Sequence, residues 1–130
     1  MRFGMKLALF SVGALLTQAN EYTNPDWSLW NDLLHTVPGG EKYDFERHPL
    51  TTEDGYKINI MRMVPKVAST ETRRPVFVQH GVASNGLNWV AGSIETNPSI
   101  TVALAEAGYD VWIGNNRGNL WSLEHETLTW

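Results

Sequence analysis

The stretch Pro75–Val90, P-V-F-V-Q-H-G-V-A-S-N-G-L-N-W-V, constrains this chain more than any other. Val76-Phe77-Val78 is a short apolar run, β-branched and aromatic, with no polar alternation. It is too short for a helix and suits a strand buried on both faces of a mostly parallel sheet. The run stops at His80-Gly81. A glycine there lets the backbone turn sharply and leaves main-chain N–H groups uncovered at the carboxyl end of the strand, the edge at which open α/β sheets hold ligands. Amides so placed, that of Val82 among them, can donate to a negatively charged oxygen. An isolated His-Gly is equally a plain turn, so the flanking sequence has to decide.

Around this stretch the segments alternate in type. Pro25 begins a helix after Asn24 as cap, with Trp27, Trp30, Leu33 and Leu34 at helical spacing and Pro38-Gly39-Gly40 as its stop. Its aromatic stripe suits packing on the body of the domain better than contact with a lipid surface. Tyr43–Thr52 and Tyr56–Val64 are strand-like and flank Glu53-Asp54-Gly55, a strong hairpin signal. In the second run Ile58 and Ile60 alternate with Lys57, Asn59 and Met61, which places the isoleucines on the buried face. Residues 65–74 are polar and read as a surface connection; Arg73-Arg74 there is a solvated pair rather than a processing site. After the His-Gly loop, Asn97-Pro98 opens a second helix with Ile100, Val102, Ala103, Leu104 and Ala107 as its apolar face and Gly108 as its stop. Tyr109–Ile113 is then a strand. Strand, helix and strand form a βαβ unit with a right-handed crossover. Gly114–Asn119 turns at the same edge as the His-Gly loop, and Arg117 within it is expected to be a buried hub bonded to loop carbonyls rather than a substrate contact.

Composition bounds the function classes. In 130 residues, 42% hydrophobic and 11% aromatic, there is material for one domain with a core. Arg2 and Lys6 precede the apolar segment Leu7–Leu16, and Thr17-Gln18-Ala19 offers small residues for cleavage, so residues 1–19 read as a secretory signal and 20–130 as the mature part. No other segment is apolar enough to span a bilayer. Removing residues 1–19 takes away two bases and no acid and moves the formal charge from −4 to −6, which disfavours nucleic acid as a partner. With no cysteine there is no disulfide scaffold and no thiolate metal site or nucleophile. No phosphate-loop lysine and no G-x-G-x-x-G occurs, and no cofactor is expected. Two motifs are decoys. Ser84 sits between Gly81 and Gly86 at the wrong spacing for the elbow G-x-S-x-G, and His125-Glu126 lacks the second histidine of a zinc helix, position 129 being threonine.

Four motifs in register carry a resemblance. His48-Pro49-Leu50-Thr51-Thr52-Glu53-Asp54-Gly55-Tyr56, then Gln79-His80-Gly81, then Leu104–Asn115 (L-A-E-A-G-Y-D-V-W-I-G-N), then Arg117-Gly118-Asn119 resemble the N-terminal part of the acid lipases, the gastric and lysosomal type. The resemblance spans about Asn24 to Trp130. It implies the N-terminal portion of an α/β-hydrolase fold, an edge hairpin followed by the βαβ unit, in a secreted or lysosomal enzyme. It also implies a lipid–water interface, and hydrolysis of triacylglycerols or sterol esters by a serine with histidine and aspartate. His80-Gly81-Val82 falls on the family's H-G-L, which puts one oxyanion-hole N–H on Val82; His80, Gly81, Asn115, Arg117 and Gly118 then shape the loops around it. The family's elbow, acid and histidine fall beyond the matched region, so His125 is not the catalytic base. The expectation is an N-terminal piece of a lipase, without ester hydrolysis of its own; the alternative is a non-catalytic lipid-binding or interaction protein.

Overall fold

The computed structural model describes residues 25–91 and 99–129. The segment read as a secretory signal, Asn24 and Asn97-Pro98 lie outside them. In chain order the elements are α1 (Ser28–Thr36), a short 3-10 turn (Gly40–Lys42), β1 (Tyr43–Thr51), β2 (Lys57–Pro65), β3 (Arg74–Gln79), α2 (Leu87–Val90), α3 (Ile100–Glu106) and β4 (Tyr109–Gly114). The four strands form one sheet in the order β1-β2-β4-β3. β1 pairs antiparallel with β2, β2 antiparallel with β4, and β3 parallel with β4, so the sheet is mixed. The turn between β1 and β2 depends on Gly55, whose φ of +90° only glycine adopts without strain.

The register gives the sheet one covered face. Met61 stands opposite Ile113, and Val111 lies between Met63 and Val76. These side chains meet Trp30 and Leu34 of α1, Val90 of α2, and Val102 and Ala105 of α3 in a single apolar cluster. Trp121, from the segment after β4, closes it with its ring centroid 5.5 Å from that of Trp30, edge to face. Trp27 lies 5.1 Å from Trp121, so the tryptophan stripe of α1 packs on the domain.

Five expectations change here. Val76–Val78 is not covered on both sides: β3 is the outer strand, its valines face the core, and Phe77 is 55% exposed on the other face beside Trp112. On β2 the phase is reversed, because Asn59, Met61 and Met63 are buried while Ile58 and Ile60 lie half-covered on the opposite face. The polar Asn59 takes a core position because its backbone N–H donates to Ser122 Oγ and its Nδ2 to the Trp121 carbonyl. Helix α1 begins at Ser28 rather than Pro25, with the Asp26 carboxylate accepting from the Ser28 N–H at 3.0 Å. Ser99 caps α3, accepting from the Val102 N–H at 3.2 Å. The inner face of α3 is Thr101, Val102 and Ala105, while Ile100 is 48% exposed, because only about one side of so short a helix meets the sheet.

Candidate functional site

At the carboxyl ends of the parallel pair β3 and β4, the loop His80–Asn85 and the turn Asn116–Leu120 enclose a cleft of about 440 Å³. The sheet ends both strands at one level, since Gln79 is paired with Gly114. Beyond them the chain continues as His80-Gly81 on one side and Asn115-Asn116 on the other, and the two loops bond to each other. The His80 ring, buried, accepts at Nε2 from the Asn116 backbone N–H (3.0 Å) and from Asn119 Nδ2 (3.0 Å). Gln79 Nε2 donates to Asn116 Oδ1 at 3.1 Å.

Asn115 fastens this cleft to the core. Its side chain is fully buried; Oδ1 accepts from the Gly86 N–H (3.0 Å) and from Asn119 Nδ2 (3.1 Å), and Nδ2 donates to the Asn59 carbonyl (3.3 Å). One side chain thus joins β2, the start of α2 and the turn after β4. The close approach needs glycine at 86, where a Cβ would stand 2.7 Å from Ile113 Cγ2 and 2.8 Å from Trp30 Cη2.

Val82 stands at the rim, fully exposed. Its backbone N–H has no hydrogen-bond partner among the described residues, and neither do those of Gly81, Ala83 and Ser84. Ala83 sits at φ 58°, the left-handed region, which lets the loop double back towards α2. Val82 and Leu120 supply apolar wall to the cleft.

The structure thus brings His80, Gly81, Val82, Asn115, Arg117 and Gly118 to one edge, but Arg117 is not the buried hub expected. It is exposed, pairs with the Asp54 carboxylate and lies over the Tyr56 ring, 4.5 Å from its centroid. Its partner thus lies in the β1–β2 turn. The Thr52 hydroxyl, and after it the Arg117 guanidinium, hold the Asp54 carboxyl below its ordinary value. His125 is occupied in the same region. Its Nδ1 accepts the backbone N–H groups of Thr127 and Leu128 (3.0 Å each), so Nε2 carries the proton and donates to the Asp54 carbonyl at 2.8 Å. Ser84 Oγ accepts from Asn88 Nδ2 at 2.6 Å and is bonded to no histidine among the described residues. Among the described residues no three His, Asp or Glu side chains converge to hold a metal, and no helix is long and apolar enough to cross a membrane.

Sequence reading missed Asn119, Asn59 and Ser122. Asn119 links His80 to Asn115, and Ser122 Oγ donates to the Asn115 carbonyl at 3.1 Å while accepting from the Asn59 N–H. The available signal was a polar asparagine within an apolar strand and a run of asparagines after β4.

The family model described as a partial α/β-hydrolase lipase region matches residues 40–93, from the 3-10 turn through the His-Gly loop. A lysosomal acid lipase/cholesteryl ester hydrolase of Crotalus adamanteus, itself a provisional assignment, is 42% identical over 90 residues, 67% of this chain and 22% of its own length. The chain is a relative of the acid lipases. Human lipase member N is 35% identical over 123 residues, 92% of this chain and 29% of that protein, and rat gastric triacylglycerol lipase 41% over 83 residues, 62% and 20%. The chain therefore spans between a fifth and three tenths of the length of these acid-lipase relatives.

Proposed function

We propose that this acid-lipase region supplies the oxyanion side of a serine ester hydrolase acting on neutral lipid esters, triacylglycerols or sterol esters, at a lipid–water interface. In that reaction a serine Oγ adds to the ester carbonyl, the carbonyl oxygen takes the negative charge, and a preset N–H donor stabilises it more than it stabilises the ground state. The observation that carries the reading is the Val82 amide, unpartnered among the described residues at the mouth of a cleft that ends a parallel strand pair. The β1–β2 hairpin and the pair β3 and β4 with α3 between them are read as the first strands of the hydrolase sheet, with Gly81 and Gly118 shaping its loops. No G-x-S-x-G occurs in the 130 residues, so this stretch by itself is expected to turn over no ester. The basic and apolar start supports entry to the secretory pathway with cleavage after Ala19, and hence a secreted or lysosomal site of action. Nothing among the described residues favours the non-catalytic reading.

The test is a hybrid in which residues 25–129 replace the matching stretch of human lipase member N. Val82→Ala keeps the N–H and is expected to change kcat modestly. Val82→Pro removes the N–H and is expected to lower kcat by about 10²–10³, the loss typical of one oxyanion donor. Circular dichroism and melting must match the parent; a folded proline variant with unchanged kcat overturns the assignment.

A further inference from the structure

Partners fix which nitrogen of His80 carries the proton. The Asn116 amide has only a hydrogen to offer, so Nε2 accepts it at 3.0 Å. Asn119 is oriented by its own contact: Oδ1 accepts from the Trp121 N–H at 2.9 Å, which leaves Nδ2 as the donor end, one hydrogen to His80 Nε2 and the other to Asn115 Oδ1. With a lone pair at Nε2, the neutral ring holds its proton on Nδ1, which donates to the Gly81 carbonyl at 2.8 Å.

That last bond is the only one among the described residues that reaches the backbone of residues 81–84. The segment needs it. Gly81 has no side chain to pack and a Cβ there would meet nothing within 4 Å, and Val82 is fully exposed. In a trans peptide the carbonyl and the following N–H lie in one plane and point opposite ways. Holding the Gly81 oxygen on Nδ1 therefore sets the direction of the Val82 N–H. We infer that His80 is a positioning residue that aims the Val82 amide into the cleft through the Gly81–Val82 peptide plane, with its ring locked in the Nδ1–H form by Asn116 and Asn119. The inference rests on Val82 being the oxyanion donor. The orientation originates in the buried sheet, since Asn119 is held by Asn115 and Asn115 by the Asn59 carbonyl.

Two substitutions separate this role from a plain tie between loops. His80→Asn keeps a donor where Nδ1 stands and loses the Nε2 acceptor; His80→Gln keeps an acceptor near Nε2 and loses the donor to Gly81. Aiming predicts that in the hybrid enzyme His80→Asn keeps kcat about tenfold above His80→Gln with KM alike in the two. A tie between loops predicts the reverse order. On the 130-residue chain itself, the ¹⁵N shifts of the unsubstituted His80 ring should show Nε2 pyridine-like and Nδ1 pyrrole-like, a reading independent of whether either variant folds. The opposite tautomer overturns the inference, as does an equal or reversed kcat order in folded variants. The Val82 amide resonance distinguishes the two levels. If it moves in His80→Gln and not in His80→Asn while kcat responds to no change at residue 82, aiming stands and the oxyanion reading falls; if it moves in neither, aiming falls.

Discussion

The two ends of β4 are built on opposite principles. At its amino end Asp110 receives Arg62 through two bonds, Nε to Oδ1 at 2.8 Å and Nη2 to Oδ2 at 3.2 Å, and the Trp112 Nε1–H at 2.9 Å, so charge is matched by charge. Burial alone would raise the Asp110 carboxyl, but the bonds from Arg62 and Trp112 prevail and hold it below its ordinary value. At its carboxyl end, Asn115, Asn116, Asn119 and His80 make a network of amides and a neutral imidazole. The first end sets charge against charge. The second uses side chains that tie the two loops to each other and to the sheet, and the backbone amides of residues 81–84 stay unpartnered among the described residues. A carboxylate set against that loop would accept from those amides, whereas the amide and imidazole groups there are bonded elsewhere.

The carboxyl end depends most on Asn115. Asn115→Ala strands the Gly86 N–H and the Asn59 carbonyl in the interior, each at about 1–3 kcal/mol, and urea unfolding should report a loss of about 3 kcal/mol. A loss under about 1 kcal/mol would mean that the network does not anchor the cleft. Asp110→Asn is expected to matter less, about 1 kcal/mol, because the Arg62 side chain is 38% exposed and water screens the pair. Its sign with pH sharpens the contrast. A carboxyl lowered in the folded state stabilises fully above its unfolded value, about 3.9, and that contribution disappears as pH falls through the lower folded value. The parent should therefore lose stability between about pH 5 and pH 2 more steeply than Asp110→Asn, and parallel melting curves would remove Asp110 from the account.

What the sequence revealed follows the range of the interactions. The Asp54-Gly55 turn, the apolar run of β3 and the stop at Gly108 depend on neighbours in the chain and were readable. So was the convergence of His80 and Asn115 at one edge, because a parallel pair joined by a helix puts both carboxyl ends together. Asn59 was assigned to the wet face since its partners, Ser122 and Trp121, are 63 and 62 residues away. Arg117 was assigned to loop carbonyls for the same reason, its Asp54 partner lying 63 residues back. Ile100 and Phe77 are as apolar as core residues, yet which side of a short helix or an outer strand is covered depends on what packs there, and periodicity alone carries no such information.

In the proposed reaction the Val82 N–H meets the oxygen that becomes negative. In the hybrid enzyme, labelled with ¹⁵N-valine and assigned with Val82→Ala, the nucleophilic serine can be capped with an alkyl phosphonate, whose P–O⁻ oxygen stands where the oxyanion forms. The Val82 amide proton is predicted to shift downfield more than that of any other valine, as a new charge-assisted hydrogen bond requires. A Val82 resonance unmoved by complete phosphonylation would contradict the claim.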